Sequence, residues 1–173
     1  MALNAGAFRF NTDSSQMEVW DGNQWTGILA TSPDLETGGT RAMMLSGAYP
    51  VNTDIQIFNI ATQGNAVDSG FDYGVTRYLG GAASDRTRGV YFGGYTPSAE
   101  IRFNSIPSVG STSDFGDLSS ARFGGTGVSN STRGISLGGS GPTGGTINAG
   151  MNEIEYVTIQ SLGNAADFGD LVQ

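Results

Sequence analysis

The sequence contains no cysteine, no histidine and no lysine. Without cysteine and histidine it cannot form a Ser-His-Asp triad, a Cys-His nucleophile or an ordinary zinc site. Disulfides are excluded too, so the sequence carries no sign of an oxidising compartment. Its eight basic residues are all arginine, and sixteen acidic residues leave a net charge of -8, which disfavours binding to a phosphate backbone. The composition therefore disfavours hydrolytic, redox and nucleic-acid-binding functions.

Long apolar runs are also missing. No segment approaches the ~20 apolar residues that cross a bilayer, and the first residues have no basic or apolar signal-peptide region, so neither membrane insertion nor secretion is expected. No segment repeats apolar residues at the spacing of a capped helix. Glycine, by contrast, contributes 28 of 173 residues, well above the roughly 7% of average proteins. These features predict an all-β protein with many turns.

One sequence unit occurs three times between residue 38 and the C-terminus. Each copy has an arginine-led apolar strand closed by small residues, then an alternating strand, then an Asp-aromatic-Gly segment. The arginine-led strands are residues 41–47, 88–94 and 133–139; the alternating strands are 54–58, 100–103 and 153–156; the Asp-aromatic-Gly segments are 72–74, 114–116 and 167–169. Four short strands in about 45 residues, with a Gly-Gly motif, are typical of a propeller blade. We therefore predict three four-stranded units, over residues 38–75, 76–118 and 119–173.

Residues 1–30 lie outside the repeat and residues 31–37 are expected to form a linker. Two alternating segments flank a polar turn and predict a β-hairpin, followed by a short third strand. An isolated hairpin is marginal in water, so its apolar side chains need a partner surface, either the repeats or another copy of the chain. The side chains that we expect to mediate oligomerisation are Phe8, Phe10, Val19, Trp20 and Trp25.

Both parts of the chain resemble proteins of tailed bacteriophages. Residues 6–11 (GAFRFN), 17–22 (MEVWDG) and Trp25 resemble a short β module of phage tail-fibre, collar and baseplate proteins. The repeats, with RGVYFGG at 88–94 and DFGDL at 114–118, resemble kelch-like repeats of phage structural proteins, although the tryptophan of cellular kelch repeats is missing. The resemblance implies a virion component with a β-propeller-like body.

Three units are fewer than the four to eight blades of typical closed propellers. Open sheet edges invite pairing with another chain, so we expect a homo-oligomer. A homotrimer is favoured by the N-terminal resemblance, and a dimer that closes a six-bladed ring is the alternative.

The repeated arginines are candidates for pairing between units. Arg41, Arg88 and Arg133 each begin the Gly-Gly strand of their unit, and a guanidinium group can bind a carboxylate through two hydrogen bonds. The candidate partners in neighbouring units are Asp72, Asp114 and Asp167. A solvated strand end is the alternative interpretation of the arginines.

We predict no catalytic residue, no metal site and no cofactor. The Asp-x-x-Asp pairs that begin at Asp114 and Asp167 could supply oxygen ligands to calcium, but Val75 interrupts the pattern in the first unit. Aspartate before glycine in a turn also accepts backbone hydrogen bonds. No pair of carboxylates is singled out as a glycosidase pair.

The expected function is that of a non-enzymatic structural protein of a tailed-phage virion, assembled in the host cytoplasm. A tail fibre, a tail accessory and a capsid decoration protein all fit the resemblance. The expected partners are further copies of the chain and other virion proteins, with attachment to a host surface glycan as a further expectation. A carbohydrate-binding or polysaccharide-degrading tail module is the alternative.

Overall fold

The computed structural model describes residues 4–12, 16–28, 39–45, 53–75, 77–95, 97–143 and 146–172. The regular structure in these ranges consists of sixteen short β-strands in five sheets, and all strand pairs are antiparallel. None of these ranges contains a helix, and so none contains a helix able to cross a membrane. The prediction of an all-β protein is confirmed. Contacts divide the chain into two compact units, residues 1–34 and 35–173.

The first unit holds a three-stranded sheet. Its strands are β1 (Phe8–Asn11), β2 (Gln16–Trp20) and β3 (Trp25–Gly27), in that order across the sheet. Asp21 orders the turn between β2 and β3, because its Oδ1 accepts the backbone N–H groups of Asn23 and Gln24 at 2.7 and 2.8 Å. The expected hairpin and third strand are therefore present. The expected linker, residues 31–37, lies outside the described residues.

The second unit, which we call the repeat body, contains three consecutive sheets. The first sheet is formed by β4 (Arg41–Leu45), β5 (Asp54–Asn59) and β6 (Val67–Asp72). The second sheet is formed by β7 (Gly81–Ser84), β8 (Arg88–Phe92), β9 (Ser98–Ser105) and β10 (Ser113–Arg122). Strands adjacent in the chain are also adjacent in each sheet, because short turns join antiparallel neighbours.

The third sheet repeats this order with one insertion. It is formed by β11 (Thr126–Ser129), β12 (Arg133–Leu137), β15 (Glu153–Thr158) and β16 (Ala166–Asp170). Between β12 and β15 the chain forms a separate hairpin, β13 (Ser140–Thr143) and β14 (Thr146–Gly150). The second and third sheets thus have the predicted four strands, and three strands of the first lie within the described residues.

The three sheets share one strand register, which corrects the sequence alignment of the first repeat. Asp114 lies opposite Arg102, and Asp167 lies opposite Glu155, which has the same position in its unit. In the first sheet that position is Gln56, and the residue opposite it is Asp68. Asp72 instead matches Asp117, which lies three residues after Asp114. The difference arises because the bulge in β6 contains one more residue than the bulges in β10 and β16, and an extra bulge residue has no opposite partner.

The second and third sheets of the repeat body pack face to face. The buried core between the second and third sheets takes residues from both: Ala83, Val90, Phe92, Ile101, Phe115, Leu118, Val157 and Ile159. We call the face that packs on the following sheet the front face, represented by Phe115 and Leu118. The face that packs on the preceding sheet is the rear face, represented by Val157 and Ile159.

The first strands of adjacent sheets approach each other very closely. A Cβ atom at Gly127 in β11 would lie 2.1 Å from the carbonyl oxygen of Ala82 in β7. Only a residue without a side chain fits there, because the obstacle is backbone that cannot rotate away. The glycine content of the repeat therefore sets the spacing between sheets as well as the turns.

Candidate functional site

The repeated arginines connect each sheet to the next one. Arg88 Nη1 donates a hydrogen bond to the backbone carbonyl of Ile159 at 2.9 Å. In the same way, Arg41 Nη1 donates to the carbonyls of Ile106 and Pro107 at 2.9 and 2.6 Å. Both isoleucines occupy the turn that follows the third strand of the next unit. The arginine is thus a connector between sheets, and its acceptor is main chain.

The aspartates predicted as partners of these arginines have other contacts. Asp167 Oδ1 accepts the N–H of Gly169 at 3.0 Å, within its own bulge. Asp114 is exposed and lies opposite Arg102 in the ladder between β10 and β9. Asp72 Oδ1 accepts a hydrogen bond from the Thr53 hydroxyl at 3.1 Å, and the Asp72 backbone contacts the segment that leads into β10. The structure therefore brings Arg41 and Arg88 to carbonyl groups of the next sheet instead of to these carboxylates.

A second contact between sheets uses the backbone of the last strand. The N–H of Asp117 donates to Asn164 Oδ1 at 3.0 Å, and the carbonyl of Asp117 accepts the N–H of Ala165 at 2.8 Å. The same pair of contacts joins the first and second units. The N–H of Asp72 donates to Ser111 Oγ at 3.4 Å, and the carbonyl of Asp72 accepts the N–H of Thr112 at 3.3 Å. Both junctions between sheets therefore have the same polar pattern.

A buried ion pair adds to the second junction. The guanidinium group of Arg122, at the end of β10, contacts Glu155 in β15, and both side chains are almost fully buried. The other oxygen of Glu155 accepts the N–H of Ser119 at 2.8 Å. In the sequence, Arg122 and Arg77 each stand shortly before a Gly-Gly pair. This repetition could have identified Arg122 as a residue of the site. Nothing in the sequence distinguishes Glu155 from Glu153, two residues earlier.

Polar groups of the first junction are held by structural contacts as well. Glu100 accepts hydrogen bonds from Arg102 and Arg77. Burial raises the pKa of Glu100, but the two arginines outweigh burial and the pKa lies below its ordinary value. Burial, with a contribution from Glu100, raises the pKa of Tyr73 to about 12. Its ring meets the ring of Tyr91 edge-on, with centroids 6.0 Å apart. Burial raises the pKa of Tyr91 as well, so both phenols are neutral at physiological pH.

The front face of the third sheet is exposed at positions that are buried on the front face of the second sheet. Phe115 is 3% exposed, whereas Phe168, at the same position of the third unit, is 51% exposed. Leu118 and Leu171 show the same contrast, at 4% and 42%. The difference follows from the place in the series, because Phe115 and Leu118 are covered by the third sheet.

The rear face of the first sheet is exposed in the same manner. Ile159 is fully buried and Ile106 is 9% exposed, but the equivalent Ile60 is 64% exposed. Phe58, in the position of the buried Val157, is also exposed, as is Met44 on the neighbouring strand. The repeat body therefore has two exposed end faces, which carry the apolar positions that are buried at its internal junctions.

A cavity of about 600 Å³ lies beside the first sheet and is lined by Arg41, Phe58, Asn65, Arg86 and Ile106 among others. Its described lining includes two arginines and no carboxylate. Across the described ranges, no three acidic residues are grouped so that they could hold a metal ion.

In the N-terminal sheet, the five residues predicted to mediate oligomerisation occupy two faces. Residues opposite each other in an antiparallel ladder share a face, so Phe8 lies with Val19, and Trp20 lies with Trp25. The guanidinium of Arg9 covers the Trp25 ring at 4.3 Å. Phe8 and Phe10 are more than half exposed. The phenylalanine face is therefore the more open of the two.

No protein-family model matches this chain, and no curated protein matches its sequence. The contacts between the sheets and the two end faces are therefore the basis of the functional proposal, and the resemblance to phage proteins stays a prediction.

Proposed function

We propose that this protein is a non-enzymatic structural component of a tailed-phage virion that associates with itself. The observation that carries the proposal is the pair of end faces on the repeat body. Apolar residues that are buried at the internal junctions are exposed there, notably Ile60, Phe168 and Leu171. Exposed apolar surface of this kind is typical of interaction sites.

The three sheets are proposed to be kelch-like blades of an incomplete β-propeller. The order of strands within each sheet and the face-to-face packing in chain order support this arrangement. So does the contact between β7 and β11, the first strands of the second and third sheets, because the first strands of propeller blades surround a central axis. An open series of blades needs further blades to cover its ends.

The sequence resemblance is what supports a role in the virion. A tail fibre, a tail accessory or a capsid decoration protein fits the proposal, with the N-terminal sheet attached to another virion protein or to further copies. The N-terminal resemblance favours a homotrimer, and the alternative is a dimer that closes a six-bladed ring, which the two end faces of the repeat body support. Many copies of a weak contact to the host surface would produce tight attachment through effective concentration.

Purified phage particles provide the test of this function. An antibody against the repeat body should label intact particles at one symmetric location in electron micrographs. Particles of the source phage that contain no copy of the protein would overturn the proposal. Glycan binding would add a host-attachment role, whereas release of reducing sugar that is lost on changing one carboxylate would replace the structural proposal with an enzymatic one.

A further inference from the structure

We infer that the front face of the third sheet docks on the rear face of the first sheet of a second copy of this chain. The contacts would be those that join adjacent sheets within one chain. This inference rests on the proposed self-association and names the surfaces that produce it. Because the two surfaces differ, the contact is head-to-tail.

The donor of the first contact is Arg133. It occupies in β12 the position that Arg88 occupies in β8, and each guanidinium lies over an aromatic ring of the adjacent strand. Arg88 lies 4.5 Å from the Phe103 ring, and Arg133 lies 4.8 Å from the Tyr156 ring. The ring holds the guanidinium at the front edge of the sheet, where Arg88 reaches the following sheet. Arg133 is thus oriented for the same contact with a sheet that follows the third one.

The acceptor is the carbonyl of Ile60 in the second copy. Ile60 begins the turn after β5, and its N–H donates to Thr40 O at 2.8 Å. Ile106 and Ile159, whose carbonyls accept hydrogen bonds from the repeated arginines, have equivalent backbone bonds. The N–H of Ile106 donates to Thr87 O at 2.8 Å, and that of Ile159 donates to Thr132 O at 2.9 Å. The turn at Ile60 therefore has the conformation that presents a carbonyl to an arginine of a preceding sheet.

The second contact pairs Asp170 with the segment 64–66. These three residues, Gly-Asn-Ala, are identical in sequence to residues 163–165 and follow Ile60 at the same distance as those follow Ile159. Asn164 and Ala165 bind the backbone of Asp117. By the same geometry, Asn65 and Ala66 would bind the backbone of Asp170, which is the equivalent of Asp117.

The apolar residues of the two end faces complement each other. The front face offers Val128, Phe168 and Leu171, and the rear face offers Met44, Phe58 and Ile60; all six are exposed. At the internal junction the equivalent positions form the core, where Phe115 and Leu118 pack with Val157 and Ile159. A second copy would therefore cover both end faces with surface of matching chemistry.

Two copies are the number that closes such a ring. A head-to-tail contact produces a closed ring when the rotation closes and an open filament when it does not. Two chains contribute six sheets, which lies within the four to eight blades of typical propellers, whereas three chains contribute nine. The inferred assembly is a dimer with two identical junctions.

A mixing experiment tests the head-to-tail contact. Phe168→Asp blocks the front face and Ile60→Asp blocks the rear face, and each variant alone should be monomeric by size-exclusion chromatography with light scattering. An equimolar mixture should recover a dimer, because one front face and one rear face remain intact. Leu162→Asp, at an exposed leucine outside both faces, should leave the unmixed protein dimeric.

Failure of the inference is distinguishable from failure of the proposed function. A native chain that is monomeric at micromolar concentration overturns both. An oligomer that neither variant weakens, including a trimer held by the N-terminal sheet, overturns this interface and leaves the structural role standing. A mixture that stays monomeric contradicts the head-to-tail arrangement. Far-ultraviolet circular dichroism verifies that each variant is folded.

Engineered cysteines provide an independent test, because the native chain has none. The double variant Asp170→Cys/Ala66→Cys should form a disulfide-linked dimer on mild oxidation, seen on a non-reducing gel. The matched control Asp117→Cys/Ala165→Cys joins positions whose backbones are hydrogen-bonded at 2.8 Å, and it should close within one chain. Closure of the control without a covalent dimer of the test variant would contradict the interface.

Discussion

Phe115 and Phe168 occupy the same position of two repeats, and we predict that their replacement by alanine has very different costs. Phe115 is 3% exposed and its ring meets that of Phe103 edge-on, with centroids 5.9 Å apart. Truncating a buried phenylalanine costs about 3–5 kcal/mol. Phe168 is 51% exposed, so roughly half of the transfer free energy of about 1.5–3 kcal/mol is lost, or about 1 kcal/mol. Phe115→Ala should therefore lower the melting temperature by ~10 °C or more, and Phe168→Ala by ~3 °C.

The comparison requires an assay that follows the repeat body. Both tryptophans, Trp20 and Trp25, lie in the N-terminal unit, so tryptophan fluorescence would report on the other part of the chain. Thermal unfolding followed by far-ultraviolet circular dichroism at low protein concentration avoids this error and limits the contribution of self-association. Equal destabilisation by the two substitutions would refute the reasoning, because it would mean that position in the series does not determine burial.

Three further predictions concern polar and backbone contacts of the repeat body. Arg122→Met should destabilise it by about 3–5 kcal/mol because Glu155 stays buried without its partner; the double change with Glu155→Gln should recover part of this loss in thermal unfolding. Glu100 has a lowered pKa, so its contribution is complete above its unfolded pKa of about 4.5 and is lost as pH falls through the lower folded value; Glu100→Gln should flatten stability profiles below about pH 5. Gly127→Ala places a methyl group against the carbonyl of Ala82 and should cost several times the ~1 kcal/mol expected for an exposed strand glycine; an unchanged urea midpoint would contradict the close approach.

The repeat and the all-β fold were predictable because both depend on local patterns. Short alternating strands and Gly-Gly turns recur with the arginines, and these patterns need no knowledge of distant contacts. The hairpin in the insertion between β12 and β15 was less evident from the sequence, because the insertion is rich in glycine. Glycine-rich composition weakens the alternating pattern from which strands are recognised.

The contacts between sheets were less predictable. Arg88 has a main-chain acceptor, and a carbonyl has no signature in the sequence. The burial of Glu155 depends on which face of β15 points at the second sheet, which the pairing of strands decides. The match of Asp68 with Asp114 was missed because one extra residue in a bulge shifts the first repeat. The sequence could, however, have shown that Val19 and Trp20 lie on opposite faces of the N-terminal sheet, since consecutive side chains of a strand point to opposite faces.

The use of carbonyl acceptors has a consequence for how this protein can diverge. Every residue type offers the same carbonyl, so the hydrogen bond from the arginine does not itself fix which side chains stand in the turns that receive Arg41 and Arg88. The residue after the accepting isoleucine is Pro107 in one turn, where its carbonyl also accepts Arg41, and Gln160 in the other, yet both isoleucine carbonyls are held at 2.9 Å. The stacking geometry therefore depends on the donor arginine and on the shape of the turn, and a change of side chain elsewhere in the turn leaves this contact in place.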